Sequence, residues 1–452
     1  MDLTSRLRSI VQGSSTRPSG GFPGQGPSER RELTYEPDDG YRYDAPMDLA
    51  RVGAVLGGTP VRTPFGDCLV VDRRYEGSRL HGSVRIEDCE VKDGEGLALL
   101  DPALSSRGFC LDPEGPQKTV FLDLETTGLS GGAGTVAFLV GCGYFDLGAF
   151  QVRQFLLTSH ASERAQLAAV AEFFGDCDLI VTYNGKTFDV PVMETRWAFH
   201  RMEMPLAGIP HFDMLHPARR LWRRSTSRSE EGCRLTNLER TLLDMRRVGD
   251  VPGFEIPERF FRFLRSGDAR PLEPVLEHNR LDLVSLAAVT ARAAHMAHAG
   301  DGACQDGGEA LALGRIYERA EAFDRADACY RRAAASKDCE VRGEALGRLA
   351  VRRRRERRFA EAAELWREIV ALTASVSTRR DGALGELRQV AVEALAIHHE
   401  HRDRNLASAR ELALFALQEG DGRRAEGVRH RIARLDRKIA KSAGGSPELF
   451  TS

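Results

Sequence analysis

Val120-Phe121-Leu122-Asp123-Leu124-Glu125-Thr126-Thr127-Gly128 decides how this chain is read. It is an apolar strand that ends on two carboxylates. Side chains alternate along a strand, so Phe121, Asp123 and Glu125 share one face while Val120, Leu122 and Leu124 share the other. Two acids aimed the same way out of apolar surroundings repel and raise each other's pKa unless a positive charge lies between them. Hard divalent ions such as Mg²⁺ or Mn²⁺ answer that demand with oxygen ligands. A solvated edge strand carries such a pair equally well, so further acids decide the matter.

Asp178-Leu179-Ile180-Val181-Thr182-Tyr183 reads as a second buried strand and leads into Asn184-Gly185-Lys186-Thr187-Phe188-Asp189, a loop feeding a helix. Asp189 stands near the start of that helix, where the dipole favours a negative charge, and Asn184 holds the loop with its side-chain amide. A simple helix cap accounts for Asp189 taken alone. Further on, Val275-Leu276-Glu277-His278-Asn279-Arg280-Leu281-Asp282-Leu283-Val284-Ser285-Leu286 continues as a strongly helix-forming stretch to His298. His278 and Asp282 are one turn apart and share a helix face. An imidazole so placed orients or deprotonates a water beside a metal-bound carboxylate. A lone histidine on a helix is commonly structural, and the acids at 123, 125 and 189 turn the reading toward chemistry.

With these residues in place the chain resembles the DEDD 3′→5′ exonucleases of the ribonuclease H-like superfamily. Their three motifs stand here as Asp123-Leu124-Glu125, Asn184-x-x-x-Phe188-Asp189 and His278-x-x-x-Asp282. It is more closely similar to the YprB-like family of predicted exonucleases. That likeness rests on Leu124-Glu125-Thr126-Thr127-Gly128-Leu129-Ser130-Gly131-Gly132-Ala133-Gly134-Thr135, on Tyr183-Asn184-Gly185-Lys186 and on His278-Asn279. It covers roughly residues 50 to 300 and extends to a helical-repeat tail. The resemblance implies an α/β ribonuclease H-like core, a mixed sheet flanked by helices. It also implies a metal-dependent 3′→5′ exonuclease that cuts phosphodiester bonds of single-stranded DNA or RNA by a two-metal mechanism. Asp123, Glu125, Asp189 and Asp282 would hold two Mg²⁺ or Mn²⁺ ions, His278 would act on the water, and Thr126, Asn184 and Lys186 would meet nucleic acid near a 3′ end. One departure stands out. The tyrosine subgroup has Tyr four residues before the last Asp and the histidine subgroup has His five before it, whereas here His278 fills the tyrosine slot and Glu277 the other.

Composition bounds the rest. The 452 residues, 42% of them apolar, suffice for two or three domains with real cores. A net charge of −2 gives no global field toward nucleic acid, so any binding surface has to be local. No stretch approaches a membrane span and the N-terminus lacks a signal-peptide core. A cytoplasmic protein with no membrane partner is expected. Nine cysteines without a Cys-x-x-Cys pair argue against structural zinc and a disulfide scaffold.

Residues 1–45, rich in Gly, Pro, Ser and charge, read as disordered. Residues 46–117 read as a small β-rich lead-in, with runs such as Cys68-Leu69-Val70-Val71. The core is expected over 118–300, with strands near 119–125, 136–145, 150–157 and 178–183 and a helix near 161–175. Its loop Ser130-Gly131-Gly132-Ala133-Gly134 lacks the Gly-Lys-Ser/Thr ending of a P-loop, which disfavours nucleoside-triphosphate hydrolysis. His216-Pro217-Ala218-Arg219-Arg220-Leu221-Trp222-Arg223-Arg224 interleaves cations with an aromatic. It reads either as a single-strand surface using Arg219, Arg220 and Trp222, or as a helix with Leu221 and Trp222 packed inward and its arginines solvated.

Over 301–441 the sequence turns to Ala, Arg, Glu and Leu, and Phe323, Ala326 and Tyr330 recur as Phe359, Ala362 and Trp366. A weaker third copy lies near 390–418. Small residues that admit close helix contact, with aromatics filling the gaps, make this an all-α tetratricopeptide-like repeat domain able to take a protein partner. The cluster Arg352-Arg353-Arg354-Arg355-Glu356-Arg357-Arg358 reads either as added phosphate contacts or as the solvated turn of a repeat, the second being preferred, and 442–452 reads as a flexible tail. A second functional reading is a catalytically weak or inactive nuclease-fold scaffold that recruits partners through its repeats.

Overall fold

The computed structural model describes residues 48–91, 94–106, 118–128, 134–226, 231–374, 382–419 and 422–443. The segment 1–45, loop residues 130–133 and the tail from 444 onward lie outside the described residues. The chain opens with α1 (Leu49–Leu56), whose first turn is capped by Asp48 accepting from the N–H groups of Ala50 and Arg51, both at 3.1 Å. The lead-in continues with β1 (Thr59–Thr63), β2 (Gly66–Tyr75), a small hairpin of β3 (Leu80–His81) and β4 (Val84–Arg85), and the helices α2 (Gly94–Leu100) and α3 (Pro102–Ser106). Next come β5 (Thr119–Thr126), β6 (Ala137–Asp146), β7 (Ala149–Leu156), α4 (Glu163–Phe173), β8 (Leu179–Thr182), α5 (Asp189–Phe199) and β9 (His211–Asp213). Helices α6 (Leu215–Thr226), α7 (Leu235–Leu242), α8 (Ile256–Ser266) and α9 (Glu273–Ala299) complete the core.

Seven strands form one mixed sheet in the order β1-β2-β7-β6-β5-β8-β9. Neighbours from β1 to β5 pair antiparallel, whereas β5, β8 and β9 run parallel. The lead-in thus donates β1 and β2 to the edge of the sheet that carries the acids. The three-residue β9 is too short to leave a period in the sequence.

Alternation along β5 sorts its side chains as expected. Val120, Leu122 and Leu124 pack with Val192, Met193 and Trp197 under α4 and α5, while Phe121 joins Leu283, Val284 and Ala287 under α9. A sheet covered on both faces explains why β6 reads Ala137-Phe138-Leu139-Val140 without polar interruption. On the α4/α5 side, Glu163 takes a bidentate bond from Arg196, at 2.5 and 2.6 Å, and contacts His200 Nε2 at 2.8 Å. This buried ion pair locks α5, and with it Asp189, against α4.

The C-terminal region is all-helical: α10 (Gly307–Arg319), α11 (Phe323–Ala334), α12 (Cys339–Arg355), α13 (Phe359–Ala374), α14 (Ala383–His401), α15 (Leu406–Glu419) and α16 (Gly422–Ala443). The recurring residues recur in space. Phe323 and Phe359 each begin a helix, under the guanidinium groups of Arg352 and Arg402 at 5.0 and 3.7 Å. Tyr330 and Trp366 are buried. The arginine cluster is less solvated than expected, because Arg352 and Arg353 both pair with Asp327 and Arg353 is buried. Among the described residues no helix is long and apolar enough to cross a membrane.

Candidate active site

Asp123 and Glu125 leave one face of β5 near its C-terminal end and meet the first turns of α9. Asn279 of α9 donates through Nδ2 to Asp123 Oδ2 at 2.8 Å. Asn279 is itself held by Gln154 of β7, whose Nε2 donates to Asn279 Oδ1 and to the Leu276 carbonyl, both at 2.8 Å. Gly141, the β6 partner of Asp123, makes the approach possible. A Cβ there would lie 2.0 Å from Asn279 Oδ1, so no larger residue fits without expelling the amide.

Asp123, Glu125 and Asp189 each feel the charge of Asp282. Burial raises the Asp123 carboxyl well above the ordinary range, Asp282, Glu125 and Asp189 raise it further, and the Asn279 hydrogen bond opposes them. Glu125 is raised by burial, then by Asp282, Asp189 and Asp250, with Arg247 opposing. Asp189, in the first turn of α5, is pushed up to about 7, chiefly by burial and with Asp213 and Asp282 adding to it. The helix start alone does not hold it ionised.

Among the described residues no group of three or more His, Cys, Asp or Glu is already drawn together as metal ligands. Arg247, between α7 and α8, explains the position of Asp282: its Nη2 donates to Asp282 Oδ1 and to Glu239 Oε1. Nε of Arg247 donates to Glu239 Oε2 at 2.9 Å and Nη1 to Asp250 Oδ2 at 3.1 Å. His278 Nδ1 lies 2.7 Å from Asp250 Oδ1, and its Nε2 lies 3.4 Å from Asp282 Oδ2. Burial would raise the Asp250 carboxyl, but the hydrogen bond and charge of His278, together with Arg247, hold it below the ordinary range. Glu277, in the alternative histidine slot, pairs instead with Arg280 at 2.6 Å.

Asn184 adopts a left-handed backbone, φ 70°, and its Oδ1 accepts from Thr187 Oγ1 at 2.9 Å. The main clamp on its loop is Asp213 at the end of β9. Oδ1 of Asp213 accepts from Asn184 N at 2.8 Å and Leu215 N at 3.1 Å, and Oδ2 accepts from Lys186 N at 3.1 Å. Lys186 Nζ is bound to Asp101 at 2.9 Å. Thr126 is buried, with its hydroxyl donating to the Gly128 carbonyl at 2.9 Å.

The stacking role expected of Trp222 is corrected. Its ring is fully buried and Nε1 donates to Glu309 of α10 at 2.8 Å, leaving no face for a base. Leu221 is buried beside it while Arg219 is exposed and Arg220 half-buried, so α6 is the inward-packed helix of the second reading. The sequence reading assigned no role to Gly141, Gln154, Asp213, Glu239, Arg247, Asp250 or Asn279. The position of Asn279 beside His278 was the one available signal.

Strand order, the crossing helix and the converging acids define a ribonuclease H-like domain. In keeping with this, the profile of a family described as RNase_H superfamily matches residues 120–294. Uncharacterized protein YprB of Bacillus subtilis (strain 168) is 30% identical over 384 residues, covering 82% of this chain and 86% of that protein. The chain belongs to the YprB-like family of the ribonuclease H-like superfamily. Among solved structures, the family B DNA polymerase from the hyperthermophilic archaeon Pyrobaculum calidifontis aligns over 73% of this chain and 52% of its own, at 12% identity and a TM-score of 0.33. That match is too loose to bear on function.

Proposed function

We propose that this chain is a metal-dependent 3′→5′ exonuclease acting on single-stranded DNA or RNA. The observation that carries the reading is the convergence of Asp123, Glu125 and Asp189 on Asp282, where burial and the neighbouring acids oppose the ionisation of the first three. Such a set fits hard divalent cations, because every donor is a carboxylate oxygen and the charge they share has too few cations to balance it. Asp123, Glu125, Asp189 and Asp282 would hold two Mg²⁺ or Mn²⁺ ions, which when bound supply Lewis acidity and a water of lowered pKa. Asn279 keeps Asp123 aimed. The neutral His278 tautomer that donates from Nδ1 to Asp250 leaves Nε2 as a proton acceptor beside Asp282. Polarity and the choice of a single strand come from the family resemblance.

One observation favours the scaffold reading: Arg247 already supplies Asp282 with a cation. The deciding experiment is Mn²⁺-dependent degradation of 3′- and 5′-labelled single-stranded DNA and RNA, with Asp123→Ala beside the wild type. Loss of signal from the 3′ label first, reduced at least about a hundredfold in the variant, supports the enzyme and its polarity. Folded wild-type protein that cuts none of the substrates leaves the scaffold.

A further inference from the structure

Between α6 and the first C-terminal helices lies an open groove of about 770 Å³, lined by seven arginines and one carboxylate, Glu318. In a chain with net charge −2 this is a strong local excess. Three of the arginines are neutralised within the fold: Arg224 by Glu340 at 2.7 Å, Arg348 by Glu318 at 2.6 Å, and Arg315 by Glu344. Arg219, Arg220, Arg223 and Arg319 have no ion-pair partner among the described residues. Nε of Arg220 reaches only the His216 carbonyl and Nε of Arg319 only that of Arg315, each at 3.3 Å. Burial, and then the charge of Arg319, push the Arg220 pKa down, with the Asp101 carboxylate opposing them.

One wall of the groove is α6, the helix that follows the loop clamp at Asp213. Helix α6 begins two residues after Asp213, which bonds its first N–H and also clamps the Asn184–Lys186 loop, and its twelve residues span roughly 18 Å. Lys186 is bound to Asp101, whose charge also acts on Arg220. Guanidinium forks match phosphate oxygens, and a row of them matches a repeating polyanion. No aromatic side chain lines the groove, so it offers contacts to a backbone and none that stack on bases.

We infer that this groove holds the sugar-phosphate backbone of the single strand whose end reaches the carboxylates, an inference that rests on the nuclease reading above. The first C-terminal helices are then a wall of the substrate path. Binding should be tolerant of sequence and steep in salt.

The test is fluorescence anisotropy of labelled single-stranded oligonucleotides on full-length Asp123→Ala protein across a salt series, with Arg223→Ala and Arg319→Ala added singly and together. The double change is expected to weaken binding about tenfold or more at low salt and to reduce the slope of log K against log salt by about 1.4, at about 0.7 per phosphate contact. Arg223→Lys with Arg319→Lys, which keeps both charges, should retain the slope. Unchanged affinity and slope in the double alanine variant, an equal loss in the lysine variant, or binding of polyglutamate without binding of any oligonucleotide would each overturn the inference. Strand cleavage by the wild-type chain is read separately. Groove-dependent binding without cleavage sinks the nuclease reading, whereas cleavage with groove-independent binding sinks the groove.

Discussion

Glu400 in α14 and the acids around β5 solve the same electrostatic problem in opposite ways. The Glu400 side chain is fully buried, yet Arg431 at 3.1 Å, Arg434 at 2.7 Å and Lys438 at 2.8 Å, all from α16, surround it. Burial alone would raise its pKa, but Arg434 and Lys438 hold it at about 2. Around β5, burial and neighbouring acids win, and Asp189 stands at about 7. A carboxylate that only joins two helices comes with its own cations. Among the described residues the acids around β5 come with one guanidinium, Arg247, which faces Glu239, Asp250 and Asp282 together.

The sharpest way to break this comparison is to disturb the aim of the β5 acids without touching a carboxylate. Asn279→Ala removes the bond to Asp123, and Gly141→Ala drives a Cβ into the Asn279 amide. Each should lower nuclease activity by about 10–100-fold, measured as single-turnover cleavage. The next test compares signs. In metal-free protein above pH 7, Asp189→Asn should raise unfolding stability by about 1–3 kcal/mol, and Glu400→Ala should lower it by about as much, both read from urea titrations. Equal signs would end the comparison.

The smallest effect lies in the pH profile. The Asp189 pKa is raised, so its contribution to stability is present below about 3.8 and lost as pH rises toward about 7. The Glu400 pKa is lowered, so its contribution is present above 4.5 and lost as pH falls toward about 2. Metal-free protein should therefore melt highest near pH 4–5, a few degrees above its value at pH 7. Mn²⁺ should restore those degrees at pH 7 and add little at pH 4, because binding must displace protons. Calorimetric melts with and without the ion check it.

Asp123, Glu125, His278 and Asp282 were legible in the sequence because the periodicities of strand and helix are local. Alternation placed Asp123 and Glu125 on one face, and one helical turn placed His278 by Asp282. What aims them was not legible, since it crosses the fold. Asn279 acts on Asp123 across 156 residues, Gln154 on Asn279 across 125, and Asp213 on Asn184 across 29. Trp222 shows the same limit from the other side. An aromatic among arginines carries no mark of the Glu309 that draws it inward from 87 residues away. A mixed sheet flanked by helices was implied by the family resemblance, while the strand order and the addition of β1 and β2 to that sheet depend on pairings no local pattern announces.

Asp213 joins two pieces of backbone, and that has a mechanical meaning. Its two oxygens take three N–H groups, two from the loop before α5 and one from the first turn of α6. Loop and helix are thereby welded into one rigid part. A hinge between them would have to break either the helix's bond to Oδ1 or both of the loop's bonds, so a pull on α6 is passed through Asp213 to the loop that leads into Asp189.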